Sequence, residues 1–243
     1  MKVFLKLLLL AVVAAYLVFA FVRLTGGEDT SRCRSVHIVI TDSMHAGFIT
    51  KADVERLLKS KRLYPIGEKM DKIDGLAIEK SLKKHSFVKN AVCFKGPDGR
   101  VSVLISQRLP VMRVMGTGGN YYVDEKGNPM KTEGQTADLI VATGLTDRQF
   151  VKKYLIPLVR TLNNDPFWSD QIEQINVEPD RRLTLVPRVG AQIIRFGLPD
   201  TTETRQKLRN LRTFYNKVMP TVGWNTYKEI NLEYTNQVIC KKG

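Results

Sequence analysis

From Val3 to Val22 the chain is apolar at every position except Lys6, with Lys2 ahead of the run and Arg23 behind it. Roughly 20 apolar residues in a helix cross the hydrocarbon core, so this run supplies one crossing if Lys6 reaches back to the headgroups. A cleaved signal peptide is the rival, with Val18-Phe19-Ala20 as a small-residue site. Its apolar region would be shorter, roughly 7 to 15 residues, and would end in a polar stretch that this run lacks. The pattern therefore predicts an uncleaved transmembrane helix over residues 3–23, behind a cytoplasmic tail of residues 1–2. Lysines at the start, with Glu28 and Asp29 just beyond, orient the N-terminus to the cytoplasm and the body outside. Residues 24–34, polar and containing Gly26-Gly27, read as a stalk.

Beyond the stalk the periods change. Val36, Ile38 and Ile40 alternate with His37, Val39 and Thr41, the mark of a half-buried strand. Thr50 and Asp53 have capping-box spacing ahead of a helix carrying Val54, Leu57 and Leu58. Asp74 is placed to cap a second helix, on which Ile78 and Leu82 share a face. Phe87 and Val88 lead into a strand in which Val92 and Phe94 alternate with Cys93. Gly96-Pro97-Asp98-Gly99 turns the chain, and Val101, Val103 and Ile105 return. The order is β-α-α-β-β.

After Pro110 hairpins dominate. Tyr121 to Val123 and the residues after the turn Asp124-Glu125-Lys126-Gly127-Asn128 form one, and Leu139 to Ala142 reads as a further strand. Phe150, Tyr154, Leu158 and Leu162 recur every four residues on a helix that Pro157 should kink. Strands are expected at Gln171 to Val177, Arg182 to Val186 and Gln192 to Phe196. Asp200 and Glu203 are placed to cap a last helix with the core stripe Leu208, Leu211, Tyr215 and Val218. Tyr227 to Tyr234 and Gln237 to Lys241 read as a closing strand pair.

Composition changes the picture in one respect. The formal net charge is +14, of which Lys2, Lys6 and Arg23 carry three, leaving +11 on the rest. Outside the membrane the polyanions are lipid headgroups and wall polymers, so nucleic acid is not an expected partner. Three cysteines, Cys33, Cys93 and Cys240, exclude a complete disulfide framework, and their spacing matches no metal motif. Cys93 reads as a small half-buried hydrophobe.

Catalytic chemistry is not legible. His37, His45 and His85 fall on separate elements, none at ligand spacing with Cys, Asp or Glu. Gly116-Thr117-Gly118-Gly119 precedes a strand, offers no helix N-terminus to a phosphate, and reads as a hairpin connection. Asp124-Glu125 lies in a turn, where acids bond local amides. No Gly-x-Ser-x-Gly nucleophile motif occurs. The expectation is a protein with no enzymatic activity, cofactor, metal or small-molecule substrate.

Several segments resemble the bacterial cell-division family FtsQ, also called DivIB. Ser86-Phe87-Val88-Lys89-Asn90-Ala91 is similar to the family's P-[FW]-V-x-x-A segment, and Gly99-Arg100-Val101 through Pro110 to its strand ending in a charged residue before proline. Tyr121-Tyr122-Val123-Asp124-Glu125-Lys126-Gly127 resembles its Y-x-(apolar)-D-x-x-G hairpin. Ile230-Asn231-Leu232-Glu233-Tyr234-Thr235-Asn236-Gln237-Val238 resembles its closing I-D-L-R-Y-x-N-Q-V strand pair. Ser86 stands where proline is common and Gln107 where glutamate is common, and the tail before Val3 is short for the family.

The resemblance implies an α+β chain: a single N-terminal transmembrane helix, a POTRA domain over residues 35–109 and a mixed α/β "β domain" over residues 110–243. It implies a single-pass inner-membrane scaffold of the divisome at the septum, with a periplasmic body that links partners to septal peptidoglycan synthesis. A terminal strand at a sheet edge leaves backbone groups free to pair with another chain. In the family this edge receives a strand from the coiled-coil division proteins FtsB and FtsL. The implied receiving residues are Tyr234, Gln237, Val238 and Ile239, backed by Ile230 and Leu232. The alternative is a membrane-tethered module that grips wall polymer. Lys80, Lys83, Lys84 and Lys89 form one basic patch and Arg205, Lys207, Arg209 and Arg212 another; both read as solvated faces, the first with anionic headgroups as the functional rival.

Overall fold

A computed structural model describes residues 2–25, 32–41, 47–132, 134, 136–199 and 201–243, with side chains left out for 2–9, 22–25 and 201. Gly26-Gly27 of the expected stalk, Glu28, Asp29, His45 and Asp200, the expected cap of the last helix, lie outside the described residues. The backbone is helical over α1 (Lys2–Thr25), where side chains are described for residues 10–21. Among the described residues no helix is long and apolar enough to cross a membrane. The chain divides into two compact units, Met1–Gln107 and Arg108–Gly243.

In the first unit β1 (Ser35–Ile40), α2 (Lys51–Ser60), α3 (Gly75–Leu82), β2 (Val88–Lys95) and β3 (Arg100–Gln107) follow in the expected order. The strands lie as β1-β3-β2, with β1 parallel and β2 antiparallel to β3. The capping box is present: the Asp53 N–H donates to Thr50 Oγ1 at 3.2 Å, and the Thr50 N–H donates to Asp53 Oδ2 at 3.0 Å. Asp74 caps α3 by accepting from the Ala77 N–H at 2.9 Å. Val54 and Leu58 of α2 and Ile78 and Leu82 of α3 are buried, as are Ile38, Val101, Val103 and Ile105 of the sheet. On β2 the small residues Ala91 and Cys93 face inward, while Val92 and Phe94 stand exposed. The reason is proximity. A Cβ built on Gly75, the first residue of α3, would sit 3.6 Å from Cys93 Sγ, so only small side chains fit beneath this helix.

Among the described residues the second unit is one sheet of nine strands with helices over the apolar face. The strands are β4 (Pro110–Gly116), β5 (Gly119–Asp124), β6 (Pro129–Met130), β7 (Val141–Gly144), β8 (Ile172–Val177), β9 (Leu183–Pro187), β10 (Ile193–Gly197), β11 (Tyr227–Asn231) and β12 (Ile239–Lys242). Their order is β12-β11-β10-β9-β8-β7-β4-β5-β6. β4, which the sequence pattern did not resolve, pairs antiparallel with β5 across the Gly116–Gly119 connection and parallel with β7. A Cβ on Gly118 would clash with the Thr146 carbonyl oxygen, so close backbone approach selects glycine there.

Three helical pieces carry the first helical stripe: α4 (Arg148–Phe150), a π turn at Val151–Leu155, and α5 (Ile156–Asn163). The expected kink at Pro157 takes this form. Pro157 has no N–H for the carbonyl four residues back and its ring crowds that turn; one widened turn, with the Ile156 N–H donating to Val151 O, relieves both. α6 (Pro166–Gln171), α7 (Thr201–Lys217) and α8 (Met219–Val222) complete the layer. Leu208, Leu211 and Tyr215 of α7 pack on Ile194, Phe196, Ile230 and Leu232 of the sheet, while Val218 lies past the helix end and Met219 takes the last buried place. One reading of the basic stripe is corrected. Lys207 is 3% exposed rather than solvated, because its ammonium donates to Phe196 O at 3.1 Å and faces Glu203 at 3.4 Å.

Candidate partner-binding edge

β11 runs parallel to β10, and β12 lies antiparallel on its other side, with Ile230 opposite Cys240 and Asn231 opposite Ile239. β12 ends the sheet, and among the described residues no strand pairs with its outer side. In an antiparallel edge strand the backbone groups of alternate residues point away from the partner strand, the geometry by which an extended segment of a second chain can be added.

Burial sorts the expected residues into two sets. Ile230 and Leu232 are 0% and 1% exposed and belong to the core. Val238 and Cys240 are half-buried against that core, and burial pushes the Cys240 thiol up from its ordinary value. Tyr234 and Ile239 are exposed at 58% and 46%, and Gln237 is exposed as well. The six therefore divide into an outer set, Tyr234, Gln237 and Ile239, and a supporting set, with Val238 between them.

The expected strand Tyr227 to Tyr234 stops at Asn231, for a local reason. Asn231 Oδ1 accepts from the Glu233 N–H at 2.8 Å, an Asx-type turn that takes the amide a ladder would need. Leu232 keeps its register by donating its N–H to Arg195 O at 2.8 Å. Asn210 of α7 donates from Nδ2 to Thr235 O at 2.6 Å, and Arg182 reaches both Glu233 carboxylate oxygens at 3.2 Å. The segment between the two strands is thus pinned from the helix layer and from β9's approach. The Asx turn has a sequence signal in Asn231; Asn210 and Arg182 act over 25 and 51 residues and have none.

Charge is arranged on the open face beside this edge. Arg195 Nε lies 2.8 Å from Glu229 Oε2, and that hydrogen bond and charge hold the guanidinium above its ordinary value. Lys241 stands opposite Glu229 in the ladder register, and Lys241 and Lys242 make the edge strand cationic. Lysines on an edge oppose indiscriminate pairing and favour a partner strand that brings carboxylates.

Asp124 serves the fold. It is 6% exposed, and its Oδ1 accepts from the N–H groups of Lys126 and Asn128 at 2.9 and 2.8 Å. Arg108 Nε donates to its Oδ2 at 2.8 Å, and Arg108 Nη2 reaches Asn128 O at 3.2 Å. Burial alone would raise this carboxyl, but the Asn128 and Arg108 bonds outweigh it and hold it below the usual carboxylate range. Among the described residues no three His, Cys, Asp or Glu side chains are grouped to hold a metal. The Cys93 thiol is pushed up to about 11 by burial and by Glu79.

Comparison with known proteins places both units. Residues 31–106 match the model of a POTRA-like domain, and residues 109–241 match the FtsQ/DivIB, C-terminal related model. The chain is 27% identical over 158 residues to a cell division protein FtsQ of Myxococcus fulvus, covering 60% of this chain and 55% of that one. It thus spans about half the length of the curated relative it matches. With more than half of its residues under the C-terminal model and a POTRA-like domain ahead of them, the chain belongs to the FtsQ/DivIB family.

Proposed function

We propose that the chain is a non-enzymatic, single-pass scaffold of bacterial cell division, anchored by residues 3–23 in the inner membrane with its body in the periplasm at the septum. Its β12 edge receives an extended segment of an FtsB/FtsL-type partner and so couples that partner to septal wall synthesis. The observation that carries this reading is the outer side of β12, unpaired among the described residues, with exposed Ile239 on the strand and exposed Tyr234 ahead of it. Support for the anchor comes from α1, whose Leu10, Val12, Tyr16, Leu17 and Phe21 are all at least 60% exposed. A helix apolar on every side is suited to lipid.

The edge is tested by co-purification of the tagged full-length protein with coiled-coil division proteins from dividing cells. Tyr234→Ala with Ile239→Asp alters exposed positions only, and should abolish recovery of these partners while leaving the thermal melt unchanged. Equal recovery with the variant would move the interface away from β12. Leu232→Pro is unsuitable, because it removes the bond to Arg195 O from a buried residue and would unfold the unit.

A further inference from the structure

α2 and α3 carry their cations differently. On α2, Arg56 lies 3.2 Å from Asp53, and Lys59 lies 3.4 Å from Glu55 and over the Tyr64 ring at 4.7 Å. On α3 one glutamate faces three lysines. Ile78 and Leu82 are buried, and the helical period places Leu76, Lys80 and Lys83, at i, i+4 and i+7, on the side away from them. Lys84 follows directly, its N–H donating to Ser81 O at 3.3 Å. Leu76 is 66% exposed, and all three lysines are exposed.

Glu79 does little to offset them. Its Oε1 accepts from the Cys93 N–H at 2.8 Å, which leaves Oε2 to Lys83 at 3.6 Å. Among the described residues neither Lys80 nor Lys84 has a carboxylate partner. The outer face of α3 is thus a leucine set among lysines, with its carboxylate turned toward β2.

We infer that this face docks on the anionic lipid headgroups of the membrane that holds α1, with Leu76 at the acyl boundary and Lys80, Lys83 and Lys84 over the phosphates. The inference rests on the anchor proposed above. The chain from Thr25, the last residue of α1, to Ser35, the first of β1, spans at most about 36 Å, and a domain of this size is about 30 Å across. The POTRA-like domain therefore stays within about its own diameter of the bilayer, so docking is intramolecular and a weak surface suffices. A lysine at an anionic surface favours contact about fivefold, so Lys80 and Lys84 alone favour it about thirtyfold. An acidic protein is the poorer occupant. One exposed leucine offers it no apolar core, and lysines lack the fork by which arginines pair with carboxylates; a diffuse layer of phosphates needs neither.

The test places full-length Leu76→Trp protein in vesicles of phosphatidylcholine, alone or with about 30% phosphatidylglycerol, with and without brominated acyl chains. Wild-type emission from Trp168 and Trp224 is subtracted. In anionic vesicles the added indole should shift to the blue and lose about half of its emission to bromine, and in neutral ones it should do neither. Salt at about 1 M, which screens charges beyond about 3 Å, should restore most of the emission. Lys80→Glu, Lys83→Glu and Lys84→Glu together should abolish the quenching. Lys51→Glu, Lys61→Glu and Arg62→Glu, at the two ends of α2, should leave it unchanged. All these positions are exposed, and a thermal melt verifies folding. Equal quenching in neutral vesicles, none in anionic ones, or equal loss in the two triple variants would overturn the proposal. Release of the quenched state by polyglutamate at carboxylate concentrations below that of the lipid phosphate would overturn it in favour of an acidic protein. Alkaline carbonate separates the two readings: a chain stripped from the vesicles overturns the anchor and this proposal with it, whereas a retained but unquenched chain overturns docking alone.

Discussion

The two sheets are built alike on their covered faces and differently on their open ones. In both, alternate residues such as Val101 and Val103 or Leu183 and Leu185 are buried beneath helices. The open face of the small sheet carries an apolar patch beside polar rows such as His37 and Ser102: Val39 and Val92 both flank Leu104 in the ladder, and Phe94 is exposed beside them. Across β7, β8 and β9 the open face of the large sheet is polar and its side chains bond one another. Thr143 Oγ1 donates to Asn176 Oδ1 and accepts from Gln174 Nε2, both at 3.0 Å, and Asn176 and Thr184 donate to Glu178 Oε1 at 2.8 and 3.2 Å. An identical period of two thus hides two different uses. Side chains that bond their neighbours add to stability, whereas exposed apolar ones add little and remain available to other surfaces.

This contrast can be broken in steps. Ile230→Ala on the covered face of the large sheet should destabilise its unit by about 3 kcal/mol, and Val103→Ala in the small sheet by a similar amount, read from denaturant midpoints. Asp124→Asn, at the end of β5, should cost about 2 kcal/mol at neutral pH, since Arg108 loses its charged partner. Because the folded carboxyl is held below its usual value, its contribution is present above the unfolded value near about 3.9 and is lost as pH falls through the folded one. The gap between wild type and variant should therefore shrink below about pH 4; a gap that is constant with pH would show that the Arg108 contact contributes nothing electrostatic. Thr143→Val should cost about 1 kcal/mol by stranding the Gln174 donor and the Asn176 acceptor. Phe94→Ser should change stability by less than about 0.5 kcal/mol. A loss from Phe94→Ser as large as that from Thr143→Val would erase the distinction between the faces.

Much of the first unit was legible because its signals are local. Thr50 and Asp53, Asp74, and the Gly96–Gly99 turn each act within a few residues, and alternation then places β1, β2 and β3. Which side of β2 faces the helices was not legible, since it depends on how closely Gly75 approaches Cys93. In the second unit α6 has a signal in Asp165-Pro166, a cap and a first-turn proline, that the strand-like reading of Gln171 onward obscured. The edge pair was readable as two apolar runs, but its true ends were not. They are set by Asn231 turning on its own backbone and by contacts from Arg182 and Asn210, distant in sequence. Lys207 misled for a related reason: nothing local says that a lysine on a basic stripe finds a buried carbonyl in β10.

The π turn at Val151–Leu155 has a consequence for how this gene can tolerate insertions and deletions. A π turn is an α turn carrying one residue too many, so the helix ahead of Pro157 holds a supernumerary position that the fold already absorbs. Deletion of exposed Lys152 should therefore preserve the side-chain phase of Leu158 and Leu162 against the sheet, its cost confined to the crowding of the regularised turn by the Pro157 ring. The same single-residue deletion inside α5 would rotate everything on one side of it by about 100° and expose part of the core.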